Sequence, residues 1–203
     1  MKFFDRGETV MAQSSTREEI VRKGAALIHA QGYNATGIKQ ILDAAGVPKG
    51  SFYFYFKSKE DFGLSVIEYF RKFIQEMGDK YLQDTSVPPL KRLSSFFAAY
   101  HDLFEKMDLC RGCPIGNLMQ EMSDHSPNFR EKIKEVYSEM QKGIERLLRE
   151  ARADGDIGAD IDASKTAQFI INAWEGAIMH MKLVKDTKPL SVFKKMIFER
   201  ILK

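Results

Sequence analysis

Cysteine is nearly absent: the 203 residues hold two, Cys110 and Cys113. A small secreted scaffold tied by disulfides is excluded, because such chains are dense in paired cysteines. Long apolar runs are missing too, and none approaches the roughly 20 residues of a membrane-spanning helix. The opening MKFFDRGETVMAQSS places Asp5, Arg6 and Glu8 where a secretory leader needs an unbroken apolar core. These absences predict a cytoplasmic protein with no membrane partner. Residues 1–15 read as a disordered arm, with Met11 as an alternative start.

Catalytic chemistry is equally sparse. The chain shows no nucleophile–base constellation, no glycine-rich phosphate loop and no HExxH motif. His29, His101, His125 and His180 are scattered, and each reads as a surface or core residue rather than a catalyst. The expectation is a protein that is not an enzyme and has no cofactor or metal. What is present is globular: 44% hydrophobic and 29% charged residues. The net charge of +3 suits a nucleic-acid partner without saying where the positive charge lies.

Helix signals dominate. Thr16 to Glu19 reads as a capping box, followed by an apolar helical face that Gly32 stops. Thr36 is placed to cap a short second helix that Gly46 ends. A third short helix fits between Val47 and Phe56, and Ser58 to Asp61 caps a longer one that fades near Gly78. Beyond Pro89 the pattern lengthens, with amphipathic helices predicted at 90–107, 114–122, 127–153, 163–183 and 190–202. The fold class is all-α: a compact amino-terminal unit of short helices, then a larger bundle.

The stretch VPKGSFYFYFKSKEDF, Val47 to Phe62, decides the function. Alternation in Phe52-Tyr53-Phe54-Tyr55-Phe56 is strand-like, but no partner strand exists and Pro48 suits a helix start. As a helix, Phe52 and Phe56 share a core-facing side one turn apart. Lys49, Ser51, Phe54 and Tyr55 are left outside, beside Lys57 and Lys59. Exposed aromatic area fringed with lysine suits a face that docks on DNA, and two short helices about Gly46 form a helix-turn-helix.

From Gly32 to Phe62 these residues resemble the DNA-binding segment of the TetR family of transcriptional repressors. The likeness rests on Ala44-Ala45-Gly46-Val47, the Lys49-Gly50-Ser51 turn, the aromatic helix ending in Phe56, and Lys57-Ser58-Lys59-Glu60. It implies domains at 16–62 (DNA-binding) and 63–203 (effector-binding and dimerisation). It implies a palindromic double-stranded operator and the DNA-binding residues Thr36, Lys39, Lys49, Ser51, Tyr53, Phe54, Tyr55, Lys57 and Lys59. Lys39 and Lys49 would read bases, Phe54 would meet thymine methyls, and Tyr53, Lys57 and Lys59 would hold phosphates. Many relatives carry His where this chain has Phe54 and Tyr55, so its operator sequence does not transfer from them.

The resemblance further implies a homodimer through the last two long helices. One apolar face there runs through Phe169, Ala173, Trp174, Ala177 and Met181, another through Val192, Phe193, Met196 and Ile197. Phe96, Phe97, Tyr100, Phe104, Met119, Met122 and Trp174 form an aromatic and methionine set that reads either as an effector pocket or as plain core. Cys113 precedes a helix start, where the thiolate is favoured, and three readings stay open: a zinc ligand with Cys110 and histidines, a reactive thiol, or an inert buried cysteine. The segment around Cys113, with Trp174 to Lys182, also resembles a branch of the family that includes electrophile and oxidant sensors. That likeness implies a small-molecule or electrophile effector, with Lys182 beside the thiol. Coupling to the operator is expected through the helix that opens at Ser58.

Overall fold

Glycine and proline punctuate the helices much as the sequence dictates. The computed structural model describes residues 16–203, so the arm expected over 1–15, including Met11, lies outside the described residues. Helix α1 (Thr16–Gln31) stops at Gly32, whose φ of +90° suits a residue without Cβ. Helix α2 (Ile38–Ala45) closes on Gly46 in the left-handed conformation, its amide bonded to Leu42 and Asp43 carbonyls. A 3₁₀ turn, Lys49–Ser51, runs into α3 (Phe52–Tyr55), and α4 (Lys59–Leu82) follows.

Helices α5 (Pro89–Lys106), α6 (Pro114–Met122) and α7 (Pro127–Ala153) each open on proline, whose missing N–H costs nothing at a first turn. Helix α8 (Ala163–Val184) is capped by Asp162, which accepts from the Ser164 and Lys165 amides at 3.1 Å. Helix α9 (Lys188–Met196) ends in a π-helical turn, Ile197–Ile201. Among the described residues there is no strand.

Three local expectations are corrected. Thr16 already lies inside α1, where Glu19 binds Arg22 at 2.7 Å. Thr36 does not cap α2: its buried hydroxyl donates to the Gly32 carbonyl at 2.6 Å, and Gly37 takes the cap position with Gln40 Oε1 accepting its amide. Helix α4 passes Gly78 and continues to Leu82; the roughly 1 kcal/mol cost of a helical glycine is offset by burying Leu82.

The chain divides into two compact units, with the boundaries falling inside α4 and α7 and between Cys113 and Pro114. The first runs to Lys72 and takes in Pro114–Lys134; the second holds Phe73–Cys113 and Glu135–Lys203. The first unit's core is built from Ile20, Ile41, Leu42, Phe52, Phe62, Phe70 and Phe129. Gly63 lets this core close, since a Cβ there would overlap the Phe129 ring and lie 2.7 Å from Tyr33.

In the second unit an aromatic triangle of Phe97, Trp174 and Phe193 joins α5, α8 and α9, with ring centroids 4.8 to 5.0 Å apart. Arg92, buried in α5, donates to the Leu82 carbonyl at the end of α4 (2.9 Å) and pairs with Glu150 of α7. Its guanidinium is thus the polar pin of this unit.

Candidate nucleic-acid interface

The recognition segment is rigid because its inward face is all aromatic. Phe52, Phe56 and Phe62 pack with centroids 5.1 to 5.8 Å apart and are essentially buried. Gly24 of α1 gives way to the Phe62 ring, and the Arg17 guanidinium covers Phe56 at 4.9 Å. Anchored so, the short α3 can turn large apolar side chains outward. Phe54 is 84% exposed and Tyr53 70%. The Phe54 and Tyr55 rings meet edge-on at 5.0 Å, which holds Phe54 upright.

Lys39, Lys49 and Lys57 are exposed, and Ser51 and Tyr55 half-buried. Ser58 Oγ accepts the Asp61 amide at 3.1 Å and Asp61 accepts the Lys57 amide at 2.9 Å, which fixes the start of α4. Two residues are placed differently from the sequence expectation. Thr36 is fully buried within its turn. Lys59 donates to the Tyr33 carbonyl at 2.8 Å and stands over the Tyr33 ring, so its charge is engaged inside the protein. Burial lowers its pKa, against an opposing pull from Glu121.

In the second unit Phe96, Tyr100 and Phe104 follow one face of α5, and Trp174 lies within 6.4 Å of Tyr100 and 6.3 Å of Phe104. Cys113 is buried and hydrogen-bonded to Glu175, itself only 7% exposed. Burial raises the Glu175 carboxyl above its ordinary range, with Cys113 opposing the shift. Desolvation also raises the nearby Tyr100, and pushes Tyr137 up to about 12, with Glu175 and Cys113 adding to each. Tyr137 donates to Asn172 Oδ1 at 2.8 Å.

Sequence reasoning missed Glu175 and Lys185. Lys185 Nζ lies 3.4 Å from the Cys110 thiol. Lys182 is exposed, its stem beside Gly112. Met119 and Met122 belong to the first unit. Among the described residues, His101, Asp102 and Glu105 are grouped closely enough to share an ion, and neither cysteine joins them.

Helix α8 is apolar on two sides. Ile170, Trp174, Ile178 and Met181 point into the core. Phe169, Ala173, Gly176, Ala177 and Val184 instead line an open groove with Val192 and Met196 of α9. Phe169 (53%), Val192 (54%) and Met196 (49%) are more exposed than apolar side chains of their size usually are.

Comparison with known proteins agrees with this geometry. Residues 20–66 match the family model for bacterial regulatory proteins of the tetR family, and residues 89–197 match the tetracyclin repressor-like C-terminal domain. The chain is 36% identical over 192 residues to the HTH-type transcriptional repressor DhaR of Mycobacterium sp. strain GP1, covering 95% of each. It is 37% identical over 180 residues to the transcriptional regulator AcuR of Cereibacter sphaeroides, covering 89% of this chain and 82% of that one. A solved regulatory protein TetR from Rhodobacter sphaeroides superposes with a TM-score of 0.85 at 37% identity, over 92% of this chain and 98% of the other. An aromatic helix-turn-helix face and a second helical unit, matched along nearly their whole length, make this chain a DNA-binding transcriptional regulator, not an enzyme, and a member of the TetR family.

Proposed function

We infer that the protein is a repressor that sits on a palindromic operator as a homodimer and leaves it when a small molecule binds the second unit. The observation that carries this reading is the outward face of α3: Phe54 and Tyr53 stand in solvent beside Lys49 and Lys57, a costly use of apolar surface unless DNA covers it. Lys39, Lys49, Ser51, Phe54 and Tyr55 face the bases, and Tyr53 and Lys57 the phosphates. The exposed groove of α8 and α9 is the dimer seam, which sets two recognition segments at the spacing of successive major grooves. The regulator works where the chromosome is, in the bacterial cytoplasm.

The effector site is the aromatic set Phe96, Tyr100, Phe104 and Trp174 with Cys113 and Glu175 as its polar groups. Such a lining suits a small, mainly apolar molecule with one hydrogen-bonding end. Helix α4 runs through both units and carries the response to the operator. A second reading, release by thiol modification, is favoured by one contact, that of Lys185 Nζ with Cys110 Sγ at 3.4 Å.

A labelled duplex from upstream of the protein's own gene, followed by fluorescence anisotropy, tests both. Preference for that duplex over random DNA by orders of magnitude is expected of a specific repressor. Release by a quinone in the wild type, abolished in Cys110→Ser or Cys113→Ser, would select thiol modification. Indifference to the quinone leaves the reversible ligand.

A further inference from the structure

The turn between α1 and α2 is gripped by a residue far from it in sequence. Glu121, at the end of α6, accepts two consecutive backbone amides: Tyr33 at 2.8 Å through Oε2 and Asn34 at 2.7 Å through Oε1. Hydrogen bonds to an ionised acceptor are about twice as strong as neutral ones. The turn is shaped to receive the acid, since a Cβ on Gly32 would stand 3.2 and 3.3 Å from the two Glu121 oxygens. On the carbonyl side, Thr36 Oγ1 holds Gly32 at 2.6 Å and Lys59 Nζ holds Tyr33 at 2.8 Å.

Further ties follow within the same unit. Ser126 Oγ donates to Glu60 Oε1 at 2.5 Å and accepts the Phe129 amide at 3.1 Å. The buried Phe129 ring meets Tyr33 edge-on at 4.9 Å, and Lys132 pairs with Glu68 at 3.2 Å. The segment 121–132 therefore binds both the turn that leads into α2 and the helix that leaves α3.

We propose that Glu121 is a positioning residue for operator recognition: by holding the Tyr33 and Asn34 amides it sets the orientation of α2 and α3. This rests on the regulator reading and names a residue on which its sequence-specific binding turns. Withdrawing the carboxylate leaves two amide donors without their acceptor and frees the turn. The recognition face then loses its register with the groove while Lys57 and Tyr53 still reach phosphates, so sequence-specific binding suffers more than binding to DNA in general.

The test uses full-length wild type, Glu121→Gln and Glu121→Ala on the upstream duplex and on a random duplex of equal length. Wild-type preference for the upstream duplex establishes the regulator reading; a wild type indifferent to sequence would sink both ideas. With that preference in place, each variant should lose about tenfold on the operator and less than about twofold on random DNA, with faster hydrogen exchange at Tyr33 and Asn34. Unchanged operator affinity in both variants, or equal losses on the two duplexes, would overturn the proposal. Should Glu121→Ala fail to fold, Glu121→Gln decides, because it keeps the shape and loses one of the two acceptors.

Discussion

The Lys59 ammonium donates to the Tyr33 carbonyl at 2.8 Å while standing 4.4 Å from the centre of the same residue's ring. Lys57, two positions earlier, is exposed. Two lysines that look alike in sequence are therefore placed differently, one closing the α1–α2 turn and the other open to solvent.

Salt titration of DNA binding separates them. Lys57→Ala should reduce the slope of log affinity against log salt by about 1, weakening all sequences alike. Lys59→Ala should leave the slope unchanged and lower folding stability by about 1 kcal/mol, read from urea unfolding. A drop in slope for Lys59→Ala would return that residue to the phosphates.

Arg92 is only 5% exposed and joins the end of α4 to Glu150. Its Nε atom has no partner among the described residues, so the two terminal nitrogens carry the whole compensation for burying the charge. Glu150→Gln, which strands that charge, should cost about 3 kcal/mol in urea unfolding. Arg92→Met, which removes it, should cost less.

Burial pushes Tyr33 and Tyr137 up to about 12. Both phenols favour the neutral form in the folded state, and unfolding releases them to ionise near their ordinary pKa of 10. Their contribution is complete below pH 10 and is lost as pH rises toward about 12, where the folded phenols ionise as well. Unfolding midpoints measured across that window should fall steadily, and Tyr137→Phe should flatten part of the decline.

The groove of α8 and α9 predicts a dimer that a single charge can break. Ala177→Glu or Met196→Glu should yield monomers by light scattering, with native helix content and loss of operator binding. Gly176 has open space where a Cβ would go, so Gly176→Ala should stabilise α8 by up to about 1 kcal/mol in the isolated subunit. A Glu variant that stays dimeric would move the seam elsewhere.

Most of the helical skeleton was readable because its punctuation is local. Pro89, Pro114 and Pro127 open helices, and Gly32 and Gly46 close them. The inward packing of Phe52 and Phe56 followed from their one-turn spacing. Where side chains meet across long stretches of sequence, local reading failed. Nothing near Glu121 announces that it binds backbone amides 87 and 88 positions earlier. A Lys59 that turns inward looks the same in sequence as one that turns outward. On α8 the helical period identified an apolar helix but not that it carries two apolar sides, one packed in its own core and one lining an open groove.

The amino-terminal unit is discontinuous along the chain, and that shapes how it is made. Ser126 and its partner Glu60 are 66 residues apart, and Phe129, whose ring fills the space over Gly63, follows only after Ser126. A ribosome delivers the complete helix-turn-helix well before the residues that seal it. Until α7 emerges, Tyr33 and Gly63 lack their cover, and non-local closure of this kind is slow. A fragment ending at Lys72 should hence be a poorly ordered DNA binder, and competence should come only once Ser126 and Phe129 have been synthesised.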